Sequence, residues 1–291
     1  MTMRRVNYLN NKDILKEIHK SKTTYCSFSD PTAHQYDIII RDLSTILSSI
    51  DEAKVNRADR LAKAAFDAAV EEGKKVKLAD FELDPTTIPN TDLVFRLMTW
   101  DHIPQMADDK KKIEPSLADF LEEELLDTEY DEEVAVVKAP GKFVKVNFPP
   151  FEHYKIDTNN NPFVIGRSHW KGDLVTGEFN KEHGSVTRKL ADMYIKLVER
   201  YATRSNWRGY TYNDEMRSQA LLQLSQIGLQ FDESKSENPF SYYTAVITNS
   251  FTRVLNIEKR NQNLRDDILE INNFAPSYTR QNSGGNDHYD E

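Results

Sequence analysis

Three successive rows of apolar residues at helical spacing, between Val186 and Arg260, constrain the fold of this chain more than any other feature. Val186, Leu190, Met193, Tyr194, Leu197 and Tyr201 recur at i, i+4, i+7, i+8, i+11 and i+15, which sets them on one face of a helix ending before "SNWRGY". A second helix is expected over "DEMRSQALLQLSQIGLQ", capped by Asn213 or Asp214, with Met216, Ala220, Leu224 and Ile227 facing inward. "FDESKSENP" reads as a polar connector, with Asn238 as N-cap and Pro239 at the first helical position, where its missing N–H costs nothing. In the third helix Phe240, Tyr243, Ile247, Phe251 and Val254 form the expected buried row. Tyr242, Asn249, Arg253, Asn256 and Arg260 form the opposite one.

The remainder is less regular. "NNKDILKEIHKSK" places Ile14, Leu15 and Ile18 at helical spacing after a polar cap, so residues 1–30 are expected to carry a short amphipathic helix. Residues 35–75 repeat apolar positions at 39, 43, 47, 50, 61, 65 and 69 and read as one long or two consecutive helices ending at Gly73. Two prolines in "LDPTTIPNTD" mark a turn, and "DLVFRLMTW" suits a strand or a short helix equally. Residues 31–133 are thus expected to be a helical and acidic insertion, and 134–185, which alternate apolar and polar residues before loop signals, an extended segment. Residues 186–270 are the helical domain and 271–291 a disordered tail. The fold class expected is mainly α, with a partly extended middle insertion.

Charge is segregated along the chain. The net charge of −9 argues against nucleic acid on average, because Lys and Arg supply most non-specific affinity for phosphates. Yet nine of the fifteen residues from Asp119 to Glu133 are acidic, whereas Phe251 to Arg265 holds four basic residues and one acid, so a basic face is possible on an acidic molecule. Arginine and asparagine are shaped for bidentate contact with base edges, and an exposed aromatic such as Tyr242 offers an unpaired base a stacking surface. A solvated helix face would read the same way.

The stretch from "WRGYTYNDEMRSQALLQLSQ" through "FDESKSENPFSYYTAVITNSFTRVLNIEKR" resembles the second conserved region of bacterial sigma factors, and more closely the late-transcription sigma factors of T-even-type bacteriophages. "VNYLNNKDILKEI" resembles the start of those phage proteins, and together these stretches cover roughly a third of the chain. Residues from about 30 to 170 fall outside the resemblance and read as an elaboration, as in a branch infecting marine cyanobacteria. The resemblance implies that Glu215, Ser218 and Gln219 contact the clamp helices of the host RNA polymerase core. It also implies that Phe240, Tyr242 and Tyr243 lie in a promoter-melting segment, and that Tyr242, Asn249, Arg253, Asn256 and Arg260 face promoter DNA. Val246 and Ile247 replace the tryptophan pair by which housekeeping sigma factors wedge open the duplex, which suggests reliance on easily unstacked TA-rich sequence.

Phage late sigma factors of this type end in an acidic, apolar segment that binds the replication sliding clamp. Here a similar string lies inside the chain, "EPSLADFLEEELLD", with Leu117, Phe120 and Leu121 as apolar anchors; a surface helix packed on its own domain is the other reading. With no second helix-turn-helix, such a protein would read one short TATA-like box and rely on a separate late coactivator.

Enzymatic signatures do not emerge. The seven histidines are scattered without metal-ligand spacing, the ten glycines form no phosphate-binding loop, and no nucleophile elbow occurs, so no catalytic residue, metal or cofactor is expected. Cys26, the single cysteine, reads as a half-buried thiol. Without an apolar run of signal-peptide or membrane-span length, the expected location is the host bacterial cytoplasm. The function expected is that of a non-catalytic polymerase specificity factor; the alternative is an acidic adaptor that binds the polymerase or sliding clamp without touching DNA.

Overall fold

The computed structural model describes residues 9–74, 76–106 and 143–283. About 53% of these are helical, and a small mixed sheet accompanies the helices, so the mainly α class holds. The chain divides into two compact units, one of residues 1–190 with 229–239 and one of 191–228 with 240–291. The connector that the sequence assigns to the helical domain therefore belongs to the first unit.

The first unit begins with α1 (Asn11–Thr23), whose Asn10 cap accepts the Lys12 N–H and whose Ile14 and Ile18 are fully buried. Next come β1 (Cys26–Phe28), β2 (Ile38–Ile40), α2 (Ile50–Glu71), β3 (Phe95–Met98), β4 (Phe151–Ile156) and β5 (Pro162–Ser168). The sheet order is β1-β5-β4-β3-β2, with β2 and β3 parallel and the other pairs antiparallel. A small ribbon pairs β6 (Trp170–Lys171) with β7 (Glu178–Phe179). The period-2 alternation of strands sorts β3 and β4 onto two faces. Phe95, Leu97, Tyr154 and Ile156 join Ala53 and Ala58 of α2 in one core, whereas Arg96 and its cross-strand partner His153 point the other way.

The helix expected from residue 35 starts at Ile50, because Asp37 and the isoleucine run after it serve the sheet. Buried Asp37 accepts the Val94 N–H and pairs with Arg57 and Arg60 of α2, and Asp42 opens a 3₁₀ turn by accepting the Ser44 N–H. The segment left open between strand and helix, 92–100, contains β3. Cys26 is half-buried, donates to the Lys22 carbonyl, and burial pushes its thiol up to about 12.

On the Arg96 face the unit closes around a buried carboxylate. Arg96 Nη1 and Lys22 Nζ each donate to Glu233 at 2.8 Å, Lys22 also donates to the Phe231 carbonyl at 2.7 Å, and Arg96 Nε donates to His153 Nε2 at 2.9 Å. The guanidinium sits 3.8 Å from the Tyr36 ring centre and 3.9 Å from that of Phe151. Burial alone would raise the Glu233 carboxyl, but Lys22, His19 and Arg96 hold it at about 2. Burial drives the His19 ring down to about 4 against the pull of Glu233, and takes His153 well below its ordinary value.

The second unit contains most of α3 (Arg188–Ala202), all of α4 (Asn213–Ile227), α5 (Pro239–Ile271) from Phe240 onward, and α6 (Tyr278–Ser283). Met193, Tyr194, Leu197 and Tyr201 of α3, Met216, Ala220 and Leu224 of α4, and Tyr243, Ile247 and Phe251 of α5 are buried as their spacing predicts. Tyr194 meets Tyr243 edge-on with ring centres 5.1 Å apart, and the Tyr201 and Thr248 hydroxyls lie 2.6 Å apart. Gly228, after α4, lies so close to Tyr194 that a Cβ there would collide with the phenol.

The tail expected to be disordered from residue 271 folds back at least to Ser283. The Ser277 N–H and hydroxyl both donate to Asp266, and Arg280 donates to Asp267 and Glu270. No helix among the described residues is long and apolar enough to cross a membrane.

Candidate nucleic-acid interface

No proline or glycine interrupts α5 after Pro239, so it runs 33 residues and carries its side chains at about 100° intervals. Tyr242, Asn249, Arg253, Asn256 and Arg260 consequently share one arc of about 60°. Asn249, Asn256 and Arg260 are exposed and Arg253 is half-buried, so amide and guanidinium groups line the solvent edge of this helix over three turns.

The aromatic end of that row departs from expectation. Tyr242 is half-buried, and its hydroxyl donates to the Ile227 carbonyl at 2.9 Å; burial pushes its phenol well above the usual range. Tyr243, fully buried, donates to the Gly228 carbonyl at 2.9 Å. The two consecutive tyrosines thus add hydroxyl donors to the last carbonyl of α4 and to the first of the 3₁₀ turn, Gly228–Gln230, that follows it. Phe240, placed in the core row by its spacing, is instead 38% exposed. The reason is chemical: a tyrosine can lie along a helix end and still satisfy its hydroxyl on a carbonyl, an option phenylalanine lacks. Phe240 is therefore the exposed aromatic of the segment, and Tyr242 and Tyr243 are anchors. Val246 and Ile247 are both buried and belong to the core.

On α4, Glu215 and Ser218 are exposed and Gln219 is half-buried, and the same side carries Leu222 at 52% exposure. An acidic, hydroxyl and amide surface with one aliphatic centre is suited to docking on another helix. Asn213 does not cap α4: its amide donates to the Ala202 and Trp207 carbonyls and braces the turn between α3 and α4. In that turn Trp207 packs on Phe251 with ring centres 5.4 Å apart, and Arg204 lies over the Tyr201 ring at 4.2 Å. Arg208, Tyr210, Thr211 and Arg217 line a shallow depression beside it. The aromatic spacing of Trp207, Tyr210 and Tyr212 is the sequence signal for this packing.

Leu117, Phe120 and Leu121 lie outside the described residues. No family model, curated protein or solved structure matches this chain.

Proposed function

We propose that this chain is a sigma-type specificity factor that binds the RNA polymerase core of a host bacterium and directs it to late phage promoters by recognising and opening a TATA-like minus-ten element. The observation that carries the reading is the sorting of α5: Tyr243, Ile247 and Phe251 fill the interior while Asn249, Asn256 and Arg260, with Arg253 partly open, line the solvent edge. In this reading Arg253 and Arg260 neutralise phosphates, the two asparagine amides meet base edges, and the exposed Phe240 ring stacks on an unpaired base. Glu215, Ser218, Gln219 and Leu222 dock on the clamp helices of the largest polymerase subunit. With Val246 and Ile247 committed to the core, strand opening rests on the ease of unstacking TA steps. The string bearing Leu117, Phe120 and Leu121 is the proposed contact for the phage sliding clamp, and a late coactivator supplies upstream contacts.

The test is run-off transcription with purified core polymerase on a TATA-like late promoter. A discrete transcript is expected only when the protein is present, and Arg253→Ala/Arg260→Ala is expected to abolish it while core binding persists. Unchanged transcription by that variant would overturn the role of α5. The tethering of Tyr242 favours the second reading, an acidic adaptor without DNA contact; co-migration with core and no transcript on a premelted template would select it.

A further inference from the structure

The last turns of α5 leave a row of aliphatic side chains open to water. Ile257, Leu264, Ile268 and Ile271 are 47%, 58%, 51% and 79% exposed. With the exposed Asn261 between the first two, they recur at alternating steps of four and three residues, the spacing of a helix-pairing seam. This half of the helix is nonetheless held in place from its other side. Residues after Ile271 turn back along it, Ser277 bonds to Asp266 and receives a bond from Gln262, Arg280 spans Asp267 and Glu270, and Asp266 is only 2% exposed. A helix end of this length frays easily in water without such support. The hairpin covers the polar face and leaves the apolar one facing outward.

The charges beside the seam indicate what would cover it. Arg260 borders one side and Arg265 the other, both exposed. Of the acids beside them, Asp267 is paired with Arg280, and Glu258 accepts from the Asn261 amide and keeps its charge. In a parallel pairing of two copies, Arg260 would face Arg265 of the second copy, and like charges across a seam repel. An acidic helix meets both arginines with the opposite sign.

We propose that this seam is a docking surface for an acidic amphipathic helix of another protein. Its aliphatic side chains pack among Ile257, Leu264 and Ile268, its carboxylates pair with Arg260 and Arg265, and Asn261 fixes the register. This surface lies beyond the α4 face assigned to the polymerase, and it shares only Arg260 with the arc assigned to promoter DNA.

The experiment uses the full chain and two designed helical peptides of about three heptads with the same Leu/Ile seam, one flanked by glutamates and one by lysines, read by fluorescence anisotropy. The glutamate peptide is expected to bind, and Leu264→Gln/Ile268→Gln to weaken it by at least about tenfold, that is about 1.4 kcal/mol, with circular dichroism unchanged. Arg260→Glu/Arg265→Glu is expected to transfer the preference to the lysine peptide. Failure of the glutamate peptide to bind, or equal binding of both peptides, overturns the proposal. So does a dimer of the chain alone in sedimentation equilibrium that Leu264→Gln dissociates, since the seam would then belong to self-pairing.

Discussion

Arg96 of β3 and Glu233 of the connector, 137 residues apart in sequence, share a 2.8 Å hydrogen bond with side chains only 3% and 8% exposed. Removing the carboxylate leaves Arg96 and Lys22 facing each other in a buried site. Glu233→Ala is therefore expected to lower the stability of the first unit by about 3–5 kcal/mol, the usual cost of an orphaned buried charge. Urea denaturation followed by circular dichroism measures it; a loss below about 1 kcal/mol would show that the cations are rehydrated at little cost.

Acid should act on the same cluster. Glu233 is held at about 2, below its ordinary 4.5, so its contribution is present above about pH 4.5 and is lost as pH falls toward 2. His19 at about 4 and His153 well below 6.5, both lowered chiefly by burial, stay neutral in the fold. Below pH 6.5 the unfolded chain takes up protons that the fold refuses, so their contribution also falls with acid. Stability is expected to decline from about pH 6.5 downward at up to about 1.4 kcal/mol per pH unit for each histidine. His19→Gln should flatten the upper part of that slope, and an unchanged profile would remove His19 from the account.

The tyrosine pair separates structural from functional aromatics. Tyr243→Phe removes a buried hydroxyl that bonds both the Gly228 carbonyl and the Tyr194 hydroxyl and is expected to cost about 1–2 kcal/mol, with Tyr242→Phe near 1 kcal/mol. Phe240→Ala, at an exposed site, should change stability by less than about 0.5 kcal/mol yet impair promoter opening, seen as lost permanganate reactivity of unpaired thymines. Normal opening by Phe240→Ala would end its assignment as the stacking residue.

Gly228→Ala introduces a methyl into the space occupied by the Tyr194 phenol. A destabilisation of about 1–3 kcal/mol is expected, as for other overpacked sites. Tyr194→Phe, which removes the colliding oxygen, should recover part of it, and a double-mutant cycle with zero coupling would contradict this packing.

If Arg253 and Arg260 contact phosphates, replacing both with Ala should reduce the salt dependence of promoter binding by the polymerase complex by about 2 in the slope of log K against log salt. An unchanged slope would place the phosphate contacts elsewhere.

The helical rows of the second unit were legible because their information is local: Met193, Leu197, Ala220, Leu224 and Ile247 repeat at helix period and are buried. Ile38–Ile40 could not be read the same way, since its spacing also satisfies a helix and its strand state depends on pairing with β3. Lys22, Arg96 and Glu233 look like surface charges in sequence, and only their convergence from three distant segments explains their burial. At the candidate site the arc from Asn249 to Arg260 followed from period alone. The exchange of roles between Phe240 and Tyr242 did not, because it rests on a carbonyl at the end of another helix.

The placement of residues 229–239 in the first unit orders events on the ribosome. Glu233 and Phe231, which neutralise and cap Lys22, are translated only after α3 and α4. α1 and β3 thus emerge carrying two cations meant for burial, and cannot close around them until the residue 211 positions beyond Lys22 and 137 beyond Arg96 has appeared. Long sequence separation between contacting groups slows folding, so completion of the first unit is a late step of its folding. A nascent chain truncated before Glu233 should therefore remain open to protease, whatever the state of its individual helices.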